Sequence, residues 1–104
     1  MTAAEHFAQG RAHAERGELT EAFLHLERSV QLSPENAEAC KLLARLSLSV
    51  NEVRAFQCWC HEAARIDPRD PEPHLMMAAV FKEKNRQVEA AEARQRAAAL
   101  TARV

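Results

Sequence analysis

Hydrophobic positions recur along this chain at three- and four-residue steps, in segments separated by short polar links. Residues 19–32 place Leu19, Ala22, Phe23, Leu26 and Val30 on one stripe. That spacing predicts an amphipathic helix with one face to bury. Similar stripes predict helices over about 3–16, 36–49, 53–66, 72–84 and 87–100. The chain is therefore predicted to be all-α, with six helices.

The residues that link these segments repeat at a fixed interval. Gly17, Asn51 and Asn85 follow one another at steps of 34 residues, and Pro34 is followed by Pro68 at the same step. Glycine and asparagine are the residues that best tolerate the left-handed conformation that ends many helices. A fixed period of this length indicates a repeat architecture, here of helix pairs joined by short turns.

Small residues at matching positions make the chain resemble the tetratricopeptide repeat family. That family has small residues at the eighth, twentieth and twenty-seventh positions of each repeat and proline at the thirty-second. In the three repeats of this chain, the eighth position holds Gly10, Ala44 and Ala78, and the twentieth holds Ala22, Phe56 and Ala90. The twenty-seventh holds Ser29, Ala63 and Ala97, and the thirty-second holds Pro34, Pro68 and Ala102. The resemblance implies a right-handed superhelical α-solenoid of three antiparallel helix pairs.

This register predicts a single domain over residues 1–104. Its repeats are expected at about 3–36, 37–70 and 71–104. The side chains expected to face inward are Cys40, Leu43, Ala44 and Ser47 in the third helix, Phe56, Cys60, Ala63 and Ile66 in the fourth, and Met77, Ala78 and Phe81 in the fifth. Phe56 stands where the family has a small residue, so the second helix pair is expected to be splayed or locally shifted.

The resemblance also implies function, because these repeats mostly bind other proteins. We expect a non-catalytic adaptor or scaffold that binds a peptide or helix of a partner in the concave groove, which the first helix of each pair lines. The family's groove positions fall on Phe7, Arg11, Lys41, Arg45, Leu48, Leu75, Ala79 and Lys82.

Three of these groove residues, Arg11, Lys41 and Arg45, are expected to cluster, which suits an acidic segment. The alternative is that they are ordinary solvated charges, some of them paired with Glu15 or Glu38. The clamp of two lysines and two asparagines by which some family members hold a C-terminal carboxylate is not reproduced, because Phe7 and Arg11 replace its first two residues.

Composition narrows the partner class. The formal net charge is −1, so no overall field attracts nucleic acid or an anionic membrane. The longest apolar run is far shorter than the about 18–20 residues of a membrane span, and the N-terminus lacks the apolar core of a signal peptide. A cytoplasmic protein that needs no cofactor is the expectation.

The cysteines and histidines give no pattern that predicts a metal or catalytic site. Cys58, Cys60 and His61 are close in sequence, but residues two apart on a helix point to different sides, which argues against a shared metal ion. The zinc-protease spacing that begins at His61 lacks its second histidine, because Arg65 stands there. His6 and His13 are interpreted as packing or surface residues. No enzyme activity is predicted.

Several alternatives stay open on the sequence alone. The last helix either caps itself with the charges of Arg94, Arg96 and Arg103 or buries its apolar flank against a second copy, so monomer and homodimer are both possible. A small secretion-type or assembly chaperone is the first alternative function. A nucleic-acid-binding helical repeat or a small helical enzyme is the second. The starting methionine favours a complete protein over a domain of a longer chain.

Overall fold

A computed structural model describes residues 1–102, which form six α-helices in consecutive pairs and contain no strand. The helices are α1 (Ala3–Glu15), α2 (Leu19–Leu32), α3 (Ala37–Ser49), α4 (Val53–Ile66), α5 (Glu72–Glu83) and α6 (Gln87–Thr101). The all-α prediction is confirmed. Arg103, one of the three arginines expected to cap the last helix with charge, lies outside the described residues.

The helix ends follow from local sequence chemistry. Thr2 accepts a hydrogen bond from the Glu5 backbone N–H, and the Glu5 side chain accepts one from the Thr2 backbone, which forms a capping box. Gly17, Asn51 and Asn85 have φ angles of 74°, 61° and 60°. The prediction that these three residues close helices in the left-handed conformation is confirmed, and each reverses the chain within one pair.

Each helix packs against its neighbour in sequence, and the pairs stack through contacts of α2 with α3 and of α4 with α5. Two clusters of buried side chains result. One includes Ala22, Leu26 and Leu43 and joins the first pair to the second. The other includes Phe56 and Met77 and joins the second pair to the third. This near-neighbour stacking is typical of repeat proteins.

The predicted splaying of the second pair at Phe56 is wrong, whereas the alternative of a local shift stays a prediction. Phe56 is fully buried, and α3 and α4 pack against each other as the other pairs do. The ring lies in a cluster with the small side chains of Ala44, Ala78 and Ala90. Because these neighbours are short, they leave the volume that the larger ring fills.

The first pair has its closest approach at Gly10. A β-carbon placed on Gly10 would lie 2.6 Å from Leu26 Cγ and 3.2 Å from the Leu26 backbone nitrogen. Leu26 is itself fully buried, so it has little room to move away. The equivalent positions of the other pairs, Ala44 and Ala78, carry a methyl group. The close contact between helices α1 and α2 therefore depends on the absence of a side chain at Gly10.

We expect Gly10→Ala to lower the free energy of unfolding by about 1–2 kcal/mol. The overpacking outweighs the about 1 kcal/mol that alanine gains over glycine in a helix. Urea unfolding followed by circular dichroism measures the change. Gln9→Ala, at the exposed neighbouring position, is the matched control and should stay within about 0.5 kcal/mol of the wild type. A Gly10→Ala variant as stable as the wild type would show that the pair can separate freely here.

Candidate ligand groove

Helices α1, α3 and α5 border two adjoining depressions on one side of the array. The first lies between α1 and α3, and the second between α3 and α5. Arg45 lines both of them and so marks their junction. Together the two depressions are called the groove below.

The first depression, here called the first well, has a volume of about 430 Å³. It brings together the predicted residues Phe7, Arg11 and Arg45. The other lining side chains are Ala14, Glu15, Glu38, Leu42 and Leu46. The floor is therefore apolar, and charges of both signs stand around it.

The second depression, the second well, has a volume of about 240 Å³. It contains the predicted residues Leu48 and Ala79, together with Arg45. Phe56, Met76, Val80 and Glu83 complete it. This well is more apolar in its side chains than the first. The groove thus presents two hydrophobic recesses with a guanidinium between them.

Lys41 does not stand free in the groove, which corrects the expectation of three available cations. Its side chain is only 8% exposed, and within the described part of the chain it lines neither of the two wells. The ammonium lies 2.9 Å from Glu38 Oε1, 2.9 Å from Asp70 Oδ2 and 3.1 Å from Glu72 Oε2. Lys41 therefore joins α3 to the link before α5 and to the start of α5 instead of facing a ligand.

The titration of Lys41 reflects these partners. Burial alone would lower its pKa, but the hydrogen bonds to Asp70, Glu38 and Glu72 outweigh burial and raise the pKa above the ordinary value. Burial alone would raise the pKa of Asp70, yet the backbone N–H of Glu72 and the Lys41 ammonium lower it overall. Both groups are therefore charged throughout the neutral range.

The two arginines of the groove differ in availability. Arg45 is about half exposed and forms an ion pair with Glu72. Arg11 is exposed and forms no ion pair within the part of the chain that the structure describes. Its guanidinium carbon lies 5.8 Å from the centre of the Phe7 ring, so the cation rests beside an aromatic face. Arg11 is the predicted cation best placed to meet a carboxylate from outside.

Leu75 and Lys82 are both exposed on α5, and neither lines the two wells of residues 1–102. The structure therefore brings together Phe7, Arg11 and Arg45 in one well and Leu48 and Ala79 in the other.

Sequence reasoning missed Asp70 and Glu72 as partners of Lys41. A signal was present, because Glu38 and Glu72 are 34 residues apart and so hold the same position in successive repeats. One lies a turn before Lys41 on its own helix, and the other reaches Lys41 from the next repeat.

The cysteines occupy two kinds of position. Cys58 is exposed, whereas Cys40 and Cys60 are buried. Burial raises the pKa of Cys40 to about 11 and that of Cys60 to about 12, so both are protonated thiols in the core near neutral pH. Over residues 1–102, no group of three or more histidine, cysteine or acidic side chains is arranged to hold a metal ion. In the same part of the chain, none of the helices combines the length and apolar character that crossing a bilayer requires.

Comparison with known proteins identifies the repeat. The family model described as tetratricopeptide repeat matches residues 13–80, well over half of the chain. The chain belongs to the tetratricopeptide repeat family. A search of curated proteins finds no match to it. The six helices are consistent with three tetratricopeptide repeats, of which the first begins and the last ends outside the matched range.

Membership in this family gives the general function. Tetratricopeptide repeats are protein-interaction and scaffold modules, and they are typically non-catalytic. Because one repeat fold serves many unrelated partners, the particular ligand has to be argued from this chain's own groove.

Proposed function

We propose that this tetratricopeptide protein binds a peptide or helix of a partner protein in the groove formed by the two wells, and that all three repeats act as one unit in doing so. The observation that carries the proposal is the arrangement of two hydrophobic recesses that meet at Arg45 along α1, α3 and α5. An exposed apolar recess with a few charged groups at its rim is suited to a segment with apolar anchors.

The charges at the rim indicate the polar character of the ligand. Lys41 is neutralised internally, and Arg45 is shared with Glu72, so Arg11 supplies the remaining attraction for a carboxylate. Glu15 and Glu38 stand around the same well and disfavour a run of acidic residues close to them. The proposed ligand is therefore an amphipathic segment with apolar side chains and one or two acidic residues, rather than a strongly acidic one.

Selection of peptides from a random phage-displayed library on the purified protein tests this proposal, followed by fluorescence anisotropy with the enriched peptides. We expect Arg11→Glu and Ala79→Glu each to weaken binding about tenfold or more, which is about 1.4 kcal/mol. The first variant reverses the free cation, and the second places a charge in the second well at an exposed position.

Arg94→Glu is the matched control, because Arg94 is an exposed arginine on α6 that lines neither well of the described chain. It should bind as the wild type does. Lys41 is left unchanged, since its loss would disturb the contact between repeats. Peptides whose affinity is the same for the wild type and for both groove variants would place the binding surface elsewhere and overturn the proposal.

A further inference from the structure

Two histidines face each other across the first helix pair. His6 on α1 and His25 on α2 have their Nδ1 atoms 3.0 Å apart. The centres of the two rings are 5.3 Å apart. This distance equals the separation of the two Nδ1 atoms plus the distance from each atom to the centre of its own ring, so both nitrogens lie on the line that joins the ring centres. Such a head-on contact is a hydrogen bond in which one ring donates its Nδ1 proton and the other ring accepts it.

The same geometry argues against a metal ion between the rings. A zinc ion bound by two imidazole nitrogens stays about 2.0–2.1 Å from each, so two nitrogens aimed straight at each other need a separation of about 4 Å. The observed 3.0 Å is too short for that arrangement. The contact is therefore one between two rings that share a proton.

The number of protons decides whether this contact persists. With both rings neutral, one Nδ1–H donates to the other Nδ1. One added proton leaves the hydrogen bond intact, with a charged donor and a neutral acceptor. A second added proton leaves two N–H groups and two positive charges facing each other. Only the second added proton is therefore incompatible with the contact.

The surroundings oppose this second protonation. Burial lowers the pKa of His6 first, and the positive charges of His25, the N-terminus and Arg28 lower it further, whereas Glu5 acts in the other direction. His13, the third histidine of this surface, stacks on His25 with ring centres 5.4 Å apart, and its Nδ1 lies 2.9 Å from Glu18 Oε1.

Glu27 on α2 lines the same recess as His6, His25 and Arg28. Glu21 lies one turn before His25 on the same helix. Helix α3 also packs against α1 and α2, but its charged side chains are engaged elsewhere. Glu38 and Arg45 line the first well, and Lys41 pairs with Glu38, Asp70 and Glu72. No carboxylate of the described residues is hydrogen-bonded to either ring of the pair, so the second added proton gains no directly bonded counter-charge there.

We propose that the contact between His6 and His25 is an acid-sensitive latch that holds α1 against α2 near neutral pH and opens when both rings are protonated. Because the neutral form of His6 is favoured in the folded protein, the latch contributes its stability above the ordinary histidine pKa of about 6.5 and loses it as the pH falls below that value. Phe7 and Arg11 lie on α1, so opening the latch would remove one wall of the first well. This last consequence, control of ligand binding by pH, rests on the proposed function.

Hydrogen exchange of the whole chain at pH 7.5 and pH 5.0, corrected for the intrinsic exchange rate, tests the latch without any ligand. We expect protection of α1 and α2 to fall about threefold or more at the lower pH. Protection of α3 should change less, because Cys40 occupies in repeat two the position of His6 in repeat one. His25→Asn keeps an acceptor for His6 but carries no charge, and it should remove most of the acid-induced loss.

His61→Asn, at an exposed histidine on α4, is the matched control and should behave as the wild type does. His6→Asn gives a second test from the other side of the contact, should His25→Asn weaken the fold at neutral pH. An equal acid-induced loss of protection in the wild type and in both asparagine variants would overturn the proposal. So would nuclear magnetic resonance titrations in which His6 and His25 take up protons independently near pH 6.5. A latch that opens while peptide binding stays unchanged would refute only its coupling to the groove.

Discussion

Replacing Phe56 with alanine is expected to lower the free energy of unfolding by about 3–5 kcal/mol. Phe56 is fully buried and lies in the cluster that joins the second helix pair to the third. The same cluster contains the short side chains of Ala44, Ala78 and Ala90, which cannot extend into the space that the ring leaves, and larger ones such as Met77 and Val80, which can fill it only in part. A cavity therefore adds to the lost hydrophobic transfer free energy.

Urea unfolding of Phe56→Ala, followed by circular dichroism, measures this loss. Phe23→Ala is the matched control, because Phe23 is also on the second helix of a pair but is only partly buried, so a smaller loss is expected. Phe56→Leu should lose about 1–1.5 kcal/mol and keeps the comparison measurable if the alanine variant is too unstable to fold. Equal losses for Phe23→Ala and Phe56→Ala would contradict the packing argument.

Phe56 also shows how far the family pattern predicts packing. The sequence placed this ring correctly on the inward face of α4, because helical periodicity identifies the buried face whatever the size of the residue. It did not predict that the pair would stay closed. That outcome depends on which side chains of α3, α5 and α6 surround the ring, and periodicity alone gives no such pairing.

The turns of the chain were predictable because they depend on local sequence and not on packing between helices. The left-handed conformations of Gly17, Asn51 and Asn85 depend on a few residues near each helix end. Such local preferences act the same way in almost any fold, so they can be read without knowing the partner helices.

Contacts between helices were the least predictable part of the candidate sites. His6 and His13 share a helix face, but the histidine that meets both of them is His25 on the next helix. Nothing in local periodicity singles out His25 from the other polar residues of α2. Polar contacts of this kind depend on the relative rotation and offset of two helices, which the three-dimensional structure supplies.

Replacing Lys41 with methionine is expected to lower the free energy of unfolding by about 1–3 kcal/mol, the second large effect. Methionine keeps the apolar part of the side chain but removes the ammonium that three carboxylates share. Asp70, whose side chain is only 18% exposed, would keep just the hydrogen bond that it accepts from the Glu72 backbone N–H. The loss falls short of that for a fully buried ion pair because Glu38 and Glu72 remain partly hydrated.

The pH dependence distinguishes this electrostatic loss from a packing defect. In the wild type the lowered pKa of Asp70 gives stability that is present above its ordinary value near 3.8 and is lost as the pH falls through the folded-state pKa. The raised pKa of Lys41 gives stability that is complete below the ordinary value of 10.5 and is lost at higher pH. The loss in Lys41→Met should therefore be largest between these limits and shrink at acid pH.

A double-mutant cycle with Asp70→Asn completes the test, with urea unfolding at pH 7 and at pH 3 as the measurement. Because the two side chains contact each other directly, the effects of Lys41→Met and Asp70→Asn should not add at pH 7, and the coupling should weaken at pH 3. Lys82→Met, at an exposed lysine on α5, is the control for removing a positive charge. Additive losses at both pH values would mean that Lys41 stabilises the contact between repeats through its methylene chain rather than through its charge.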